Sequence, residues 1–195
     1  MNFNVIKSLL KSKCVGIAGC GGLGSNAAVA LARVGVGRLI IADFDVVSES
    51  NLNRQYFFYD QIGFYKAETL ADNISRINPN VYVDAHVCTL DKLNIPDYFR
   101  NCDVVVEAFD GADMKQMLIE VMAEKLPQIP VVSGMGMAGW GANNKIKEIH
   151  YGNLYICGDM QTEVSDENPA IAPRVGIVSN MQANIVLEIL LKDAL

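Results

Sequence analysis

The sequence contains few of the residues from which several common functional sites are built. Its five cysteines are scattered over 195 residues without a C-x-x-C pair, so neither a structural zinc site nor a disulfide framework is indicated. Only two histidines occur, His86 and His150, and both lie outside the motifs described below, which disfavours a hydrolase that depends on histidine. The pattern G-x-x-x-x-G-K-[ST] is absent, which excludes a P-loop nucleotide site.

Charge and hydropathy disfavour two further classes of partner. The net charge is −6 and no run of lysine or arginine occurs, so binding to nucleic acid or to an anionic membrane is not indicated. No uncharged apolar stretch reaches the roughly 18 residues that a membrane span requires. The lysines before the first apolar stretch superficially resemble a signal peptide, but glycines interrupt that stretch. We predict a cytoplasmic protein in which residues 1–195 form one domain.

A glycine-rich turn between an apolar strand and a helix is the most informative feature that is present. The apolar run 13–18 predicts a buried strand, and small residues typical of a helix follow the turn. The turn contains Gly19, Gly21, Gly22 and Gly24. Such glycines let phosphate oxygens approach the backbone N–H groups at a helix N-terminus, and Ser25 is placed to cap that helix.

A second apolar strand, 38–42, ends at Asp43, where a carboxylate can accept hydrogen bonds from ribose hydroxyls. The two strands and the turn together predict a nucleotide site of the Rossmann type. A glycine turn that serves only close packing of a helix on the sheet is the alternative.

The rest of the chain alternates between short apolar strands and amphipathic helices. Further strands are predicted at 81–87, 103–108 and 129–133, and a pair of edge strands within 145–157. A helix is predicted to follow the glycine turn up to residue 34. Further helices are predicted at 2–12, 63–77, 113–126 and 175–195, with a helical turn at 95–101. This alternation predicts an α/β fold, a Rossmann-like open and mostly parallel sheet with helices on both faces and extra edge strands near the C-terminus.

Polar residues beyond the glycine turn suit a triphosphate better than a nicotinamide dinucleotide. Arg54 can contact two phosphates with its forked guanidinium, and Lys66 can act as a point charge beside the α phosphate. Asp110, after the fourth strand, can coordinate Mg²⁺ that bridges phosphate oxygens. Each residue also has an ordinary alternative, because Arg54 and Lys66 could be solvated and Asp110 could belong to a turn.

These motifs resemble those of a known family. The segments G-C-G-G-L-G-S, I-I-A-D-F-D-V-V-S-E-S-N-L-N-R-Q, G-F-Y-K-A and V-V-V-E-A-F-D-G are similar to the ThiF/MoeB/HesA family, which shares the adenylation domain of ubiquitin-activating enzymes. The resemblance extends from about residue 13 to the last helix. It implies an adenylyltransferase that uses ATP and Mg²⁺ to activate the C-terminal Gly-Gly carboxylate of a small ubiquitin-fold sulfur carrier, releasing pyrophosphate. The short chain resembles a compact ThiF-type protein of thiamine biosynthesis, and the family resemblance suggests a homodimer.

The resemblance also assigns roles to individual residues. The nucleotide-binding set that it implies is Gly19, Gly21, Gly22, Gly24, Asp43, Asp45, Asn51, Arg54, Gln55 and Lys66, with Asp43 on the ribose and Gln55 in a supporting role. Arg54, Lys66 and Asp110 would be catalytic, and Asp110 would bind the metal. A carboxylate nucleophile is already ionised at pH 7, so such an enzyme needs no general base and works by positioning and neutralising charge.

The sequence departs from many relatives at three places. Cys157 stands alone where relatives carry zinc-binding cysteine pairs, so no zinc is predicted, and the stretch 168–174 lacks the cysteine that some relatives use for covalent transfer. Covalent transfer through Cys157 is a minor alternative. The segment 2–13 contains no arginine to reach a neighbouring subunit's phosphates, which leaves Arg174 as a candidate. Small residues at 133–139 could leave a channel for a Gly-Gly tail.

Other functions remain open on the sequence alone. They are a non-catalytic nucleotide-binding scaffold for a ubiquitin-like partner, a related adenylating enzyme for molybdopterin synthesis or tRNA modification, and an NAD-dependent oxidoreductase. The acidic net charge of −6 argues mildly against tRNA.

Overall fold

The computed structural model describes residues 1–192, and its centre is a seven-stranded sheet. The strands are β1 (Cys14–Ala18), β2 (Arg38–Ala42), β3 (Tyr82–His86), β4 (Val104–Glu107), β5 (Val131–Gly134), β6 (Lys147–Tyr151) and β7 (Leu154–Gly158). Their order across the sheet is β3-β2-β1-β4-β5-β7-β6, and every neighbouring pair is parallel except β6 and β7. The predicted mostly parallel α/β sheet is confirmed; β6 forms one edge, whereas β7 also pairs with β5.

Helices cover both faces of the sheet, as predicted. They are α1 (Phe3–Leu10), α2 (Gly22–Val34), α3 (Lys66–Ile77), α4 (Ile95–Phe99), α5 (Ala112–Lys125) and α6 (Ala172–Leu191). Alternate strand residues supply two cores, because successive side chains of a strand point to opposite faces. Val15 and Ile17 pack in the core with α2, α3 and α6, whereas Ala18 lies in the other core with α4 and α5.

Two helix starts differ from the sequence prediction. The helix predicted from residue 63 begins at Lys66, because Gly63 has a φ of +93° and Tyr65 forms a β-bridge with Val46. The last helix begins at Ala172, three residues earlier than predicted, and Pro173 occupies its first turn, where a missing N–H costs no helical hydrogen bond. Residues 193–195 of that predicted helix lie outside the described part of the chain.

The predicted cap of α2 is wrong. Ser25 lies inside the helix, and its hydroxyl donates to the Gly21 carbonyl at 2.6 Å and accepts from the Tyr56 N–H at 3.0 Å. The cap position is Gly21, which has no side chain, so the first N–H groups of α2 lack a side-chain partner. Within residues 1–192, no helix is both long and apolar enough to cross a membrane.

Candidate functional site

The glycine turn is held by very close backbone packing. Gly19 has a φ of +95°, a conformation that residues with a side chain rarely adopt, and its N–H donates to the Ala42 carbonyl at 2.9 Å. A Cβ on Gly24 would lie 1.8 Å from the Gly19 carbonyl oxygen, so only glycine lets α2 start this close to the turn. The consequence is a tight turn that leaves the uncapped N-terminus of α2 facing the carboxyl edge of the sheet, a geometry suited to anions.

A large cavity of about 980 Å³ lies at this edge and brings most of the predicted site residues together. Its wall includes Gly19, Gly21, Gly22, Asp43, Asp45, Arg54, Gln55, Lys66 and Asp110. Such a volume accommodates a nucleotide together with part of a second reactant. The carboxyl ends of the parallel strands therefore form the expected ligand-binding edge.

Asp43 joins the end of β2 to the glycine turn. One carboxylate oxygen accepts from the Cys20 N–H at 2.5 Å and the other from the Asp45 N–H at 2.8 Å. Burial raises the pKa of Asp43 above its ordinary value, although these N–H groups and Lys66 act in the opposite direction. A carboxylate offers about four lone-pair positions, so two accepted bonds leave capacity for ribose hydroxyls.

Lys66 is buried at the first position of α3, with 6% of its surface exposed, so the solvated-lysine alternative does not hold. Its Nζ lies 2.7 Å from Oδ2 of Asp45, and its backbone N–H donates to the Asp45 carbonyl at 2.8 Å. Asp45 therefore has a task that the sequence did not indicate, because it fixes the lysine ammonium at the cavity wall.

The loop with Arg54 and Gln55 is anchored on α2. Asn26 donates through its side chain to the carbonyls of Gly22 at 2.7 Å and Arg54 at 2.8 Å, a role that sequence reasoning missed. Nη1 of Arg54 donates to the Ser50 carbonyl at 3.1 Å and to Oδ1 of Asn53 at 2.7 Å, and the other guanidinium nitrogens are free of bonds within residues 1–192. Oε1 of Gln55 is buried without a hydrogen-bond partner in that range, so it is available to a donor on a ligand.

Three predicted residues do not line the cavity. Oδ1 of Asn51 accepts from the Ser48 N–H at 3.0 Å and closes a short 3₁₀ turn. Gly24 acts by packing, as described above. Arg174 is buried, with its Nη2 2.5 Å from Oδ2 of Asp159 and its Nη1 donating to the Gly141 carbonyl. These bonds engage the guanidinium inside the fold.

A buried charged cluster lies behind another part of the cavity wall. Glu107, at the end of β4, is completely buried and accepts from the Phe109 N–H at 2.8 Å, the Ser133 hydroxyl at 2.6 Å and the Lys115 ammonium. Lys115 also lines the cavity. The sequence held one signal for this cluster, since an acidic residue ends the apolar run V-V-V-E-A of a strand predicted to be buried.

Cysteine chemistry is expected to differ sharply between the cavity wall and the core. Cys157 is completely buried, and burial raises its pKa to about 12, so roughly one molecule in ten thousand would carry the thiolate at pH 8. Cys88 is half-buried and lines the cavity. We predict that iodoacetamide at pH 8 labels Cys88 and leaves Cys157 unlabelled in the folded protein, and that ATP slows the labelling of Cys88. Peptide mass spectrometry measures both rates.

Denatured protein, in which both cysteines should react, is the control for that labelling experiment. Rapid labelling of Cys157 in the folded protein would contradict the prediction and would revive the covalent alternative.

Among residues 1–192, no three His, Cys, Asp or Glu side chains are grouped as a metal site. The predicted absence of zinc stays a prediction.

Comparison with known proteins identifies the family. A model described as the ThiF family matches residues 3–195. The chain is 34% identical over 193 residues to the adenylyltransferase and sulfurtransferase MOCS3 of Caenorhabditis briggsae, covering 94% of this chain and 47% of that protein. It is 31% identical over 190 residues to the molybdopterin-synthase adenylyltransferase of Escherichia coli K12, covering 93% of this chain and 74% of that protein. The chain thus spans about half the length of the MOCS3 relative.

A solved structure agrees on the fold. The E. coli tRNA N6-threonylcarbamoyladenosine dehydratase TcdA, in complex with ATP, superposes with a TM-score of 0.87 at 23% identity and covers 97% of this chain and 90% of that one. The Rossmann-like fold that the sequence predicted is therefore confirmed. The family model matches nearly the whole chain, and the E. coli adenylyltransferase, 74% of which is covered, is 31% identical to it. This protein therefore belongs to the ThiF family.

Proposed function

We propose that this protein is an adenylyltransferase that joins the AMP part of ATP to the C-terminal glycine carboxylate of a small ubiquitin-fold sulfur carrier. The observation that supports it most is the meeting of Arg54, Lys66 and Asp110 with the glycine turn on one cavity wall. Relatives of the chain are named adenylyltransferases, and TcdA was solved with ATP. The residues 1–195 would act as one adenylation domain.

The residues suit in-line attack of a carboxylate on the α phosphorus. The carboxylate is ionised at neutral pH, so no base is needed, and the two histidines lie away from the cavity wall. Lys66 would neutralise charge that develops on the α phosphate, because Asp45 and the start of α3 hold its ammonium in place before substrate arrives. Arg54 would bind the departing pyrophosphate with its free guanidinium nitrogens.

Asp110 fits a magnesium ion held mainly by substrate phosphates. Its side chain lines the cavity, is exposed, and makes no hydrogen bond or ion pair within residues 1–192. Mg²⁺ commonly takes one or two carboxylates and otherwise water and phosphate oxygens, so a preformed cluster of three acidic side chains is not required. When bound, the ion would supply further positive charge to the phosphates.

The carrier is proposed to be ThiS-like and the pathway to be thiamine thiazole synthesis, on the resemblance to compact ThiF-type proteins. The relatives named above point to molybdopterin synthesis or tRNA modification as alternatives within the family. We further propose a homodimer and a reducing, cytoplasmic setting, which five free cysteines among the described residues would suit.

Pyrophosphate exchange tests the proposal. Wild-type protein with Mg·ATP and labelled pyrophosphate is expected to form labelled ATP only when a Gly-Gly-ended ubiquitin-fold carrier from the same cell is added. The same carrier with a C-terminal carboxamide is the control, because it lacks the nucleophile. Exchange that ignores the carrier's C-terminus would contradict the proposal.

Binding measurements beside that experiment would favour the other classes of function if they gave either of two results. ATP binding without exchange for any Gly-Gly-ended carrier would favour a non-catalytic scaffold. A thermal shift with NAD and none with Mg·ATP would favour an oxidoreductase, because a ligand stabilises a fold only if it binds.

A further inference from the structure

We infer that Lys115 binds the carboxylate of the second substrate, the group that attacks ATP. This inference rests on the proposed function and adds a specificity-determining residue to it. Among the described residues, three basic side chains line the cavity, and they are Arg54, Lys66 and Lys115. The first two are placed for the triphosphate, which leaves Lys115 as a cation without an assigned ligand.

The order of the strands separates Lys115 from the nucleoside end of the site. Asp43 follows β2, and Asp45, two residues further on, holds Lys66; all three lie on one side of the glycine turn after β1. Lys115 lies in the first turn of α5, after β4, and Gly134 ends β5, both on the other side of that turn. A nucleotide with its ribose at Asp43 and its phosphates at the turn would leave the β4–β5 side to the second reactant.

Two hydrogen-bond partners orient the Lys115 ammonium, and neither belongs to the residues proposed to bind the nucleotide. It donates to the buried Glu107 carboxylate and to the Gly134 carbonyl at 3.1 Å. An ammonium has three donors, so one remains for a ligand in the cavity that the side chain lines. The side chain is 15% exposed, so this charge is little weakened by water.

The lysine also fixes the segment that a carrier tail would meet. Gly134 is the second residue of the stretch 133–139, and Gln182 holds the strands beneath it by donating to the carbonyls of Glu107 at 2.9 Å and Val132 at 3.1 Å. The hydrogen bond to the Gly134 carbonyl therefore places the Lys115 ammonium between the start of this stretch and the proposed nucleotide site. That place suits the terminal carboxylate of an extended Gly-Gly tail.

The test compares a carboxylate with a neutral amide at the same place. Protein loaded with the α,β-methylene analogue of ATP, which cannot react, is titrated by calorimetry with a Gly-Gly-ended ubiquitin-fold carrier and with its C-terminal carboxamide form. Wild-type protein is expected to bind the carboxylate form at least about tenfold more tightly, as for a charge-assisted hydrogen bond in a sheltered site.

The variant combines K115M with E107Q, so that no unpaired charge stays buried. It is expected to bind both carrier forms within about twofold of each other and to keep its affinity for the ATP analogue within about threefold. K115R, which keeps a positive charge, is expected to retain most of the preference for the carboxylate. Melting temperatures verify that each variant is folded.

The outcomes distinguish a failure of the role inferred for Lys115 from a failure of the proposed function. A double variant that still prefers the carboxylate would overturn the role of Lys115 and leave the proposed function standing, provided that wild-type exchange occurs. An equal loss of affinity for the ATP analogue would assign the ammonium to the triphosphate and also overturn the inference. Failure of wild-type protein to bind either carrier form would overturn the proposed function and this inference together.

Discussion

Substitution of Arg54 by alanine is expected to lower carrier-dependent pyrophosphate exchange by about 100- to 1,000-fold in kcat/KM. The side chain lines the cavity, and its stem packs over the glycine turn, since a Cβ on Gly22 would lie 3.5 Å from Cγ of Arg54. Loss of the guanidinium that we propose to bind the leaving pyrophosphate would remove stabilisation that grows as charge develops. Initial-rate measurements at several ATP concentrations give the change in both kcat and KM.

Two further variants test whether the loss of exchange is specific to the Arg54 guanidinium. R54K keeps the charge but not the fork, so we expect an intermediate loss. Arg100→Ala removes an exposed arginine outside the cavity whose one ion pair within residues 1–192 is with Asp97, 3.5 Å away, and should leave exchange within about twofold of wild type. An Arg54→Ala protein that binds and turns over ATP as wild type does would show that this arginine is merely a solvated loop residue.

Substitution of Gly24 by alanine is expected to destabilise the fold by about 3 kcal/mol or more, because a new methyl group would overlap a backbone atom. The added Cβ would lie 1.8 Å from the Gly19 carbonyl oxygen and 3.1 Å from Cβ of Ala108. Both α2 and the glycine turn are packed into the core, so neither can move away at little cost. Urea unfolding measures the loss, which corresponds to roughly 6–12 °C in melting temperature.

Gly21 provides a matched control within the same turn. A Cβ there would meet only Nε2 of Gln55, at an ordinary contact distance of 3.9 Å, and the φ of −76° suits any residue. Gly21→Ala should therefore change the free energy of unfolding by less than about 1 kcal/mol. If Gly24→Ala proves as stable as Gly21→Ala, the close packing of α2 against the turn is not what holds the site.

The fold could be predicted well because its signals are local. Continuous apolar runs in β1, β2 and β4 and the helical spacing of α3 depend on only a few neighbouring positions. The starts of α3 and α6 were predicted less well. The first is set by a β-bridge between Val46 and Tyr65, a contact across 19 positions of the sequence. The second was missed although its signal is local, because a helix tolerates Pro173 in its first turn and the predicted helix began after that residue.

The site residues likewise fall into some that the sequence predicted correctly and others that it did not. The motif around the glycine turn placed Asp43, Arg54 and Lys66 at one cavity, because each follows a strand or begins a helix at the same edge of the sheet. Asn51 belongs to the same motif, yet its amide closes a turn away from the cavity wall. Spacing alone cannot tell these cases apart, since the direction of a side chain depends on which hydrogen bonds the folded loop makes.

The sequence by itself determined the mostly parallel sheet, the glycine turn and the family, because apolar strand runs and glycine positions are written in consecutive residues. Only the tertiary structure decided that Asp45 holds Lys66 and that Arg174 is engaged by Asp159. It also brought Lys115 and Glu107 together with Ser133, 26 positions beyond the glutamate. Burial and ion pairing are properties of groups brought together from distant positions, so they exist only once the strands have been ordered in the sheet.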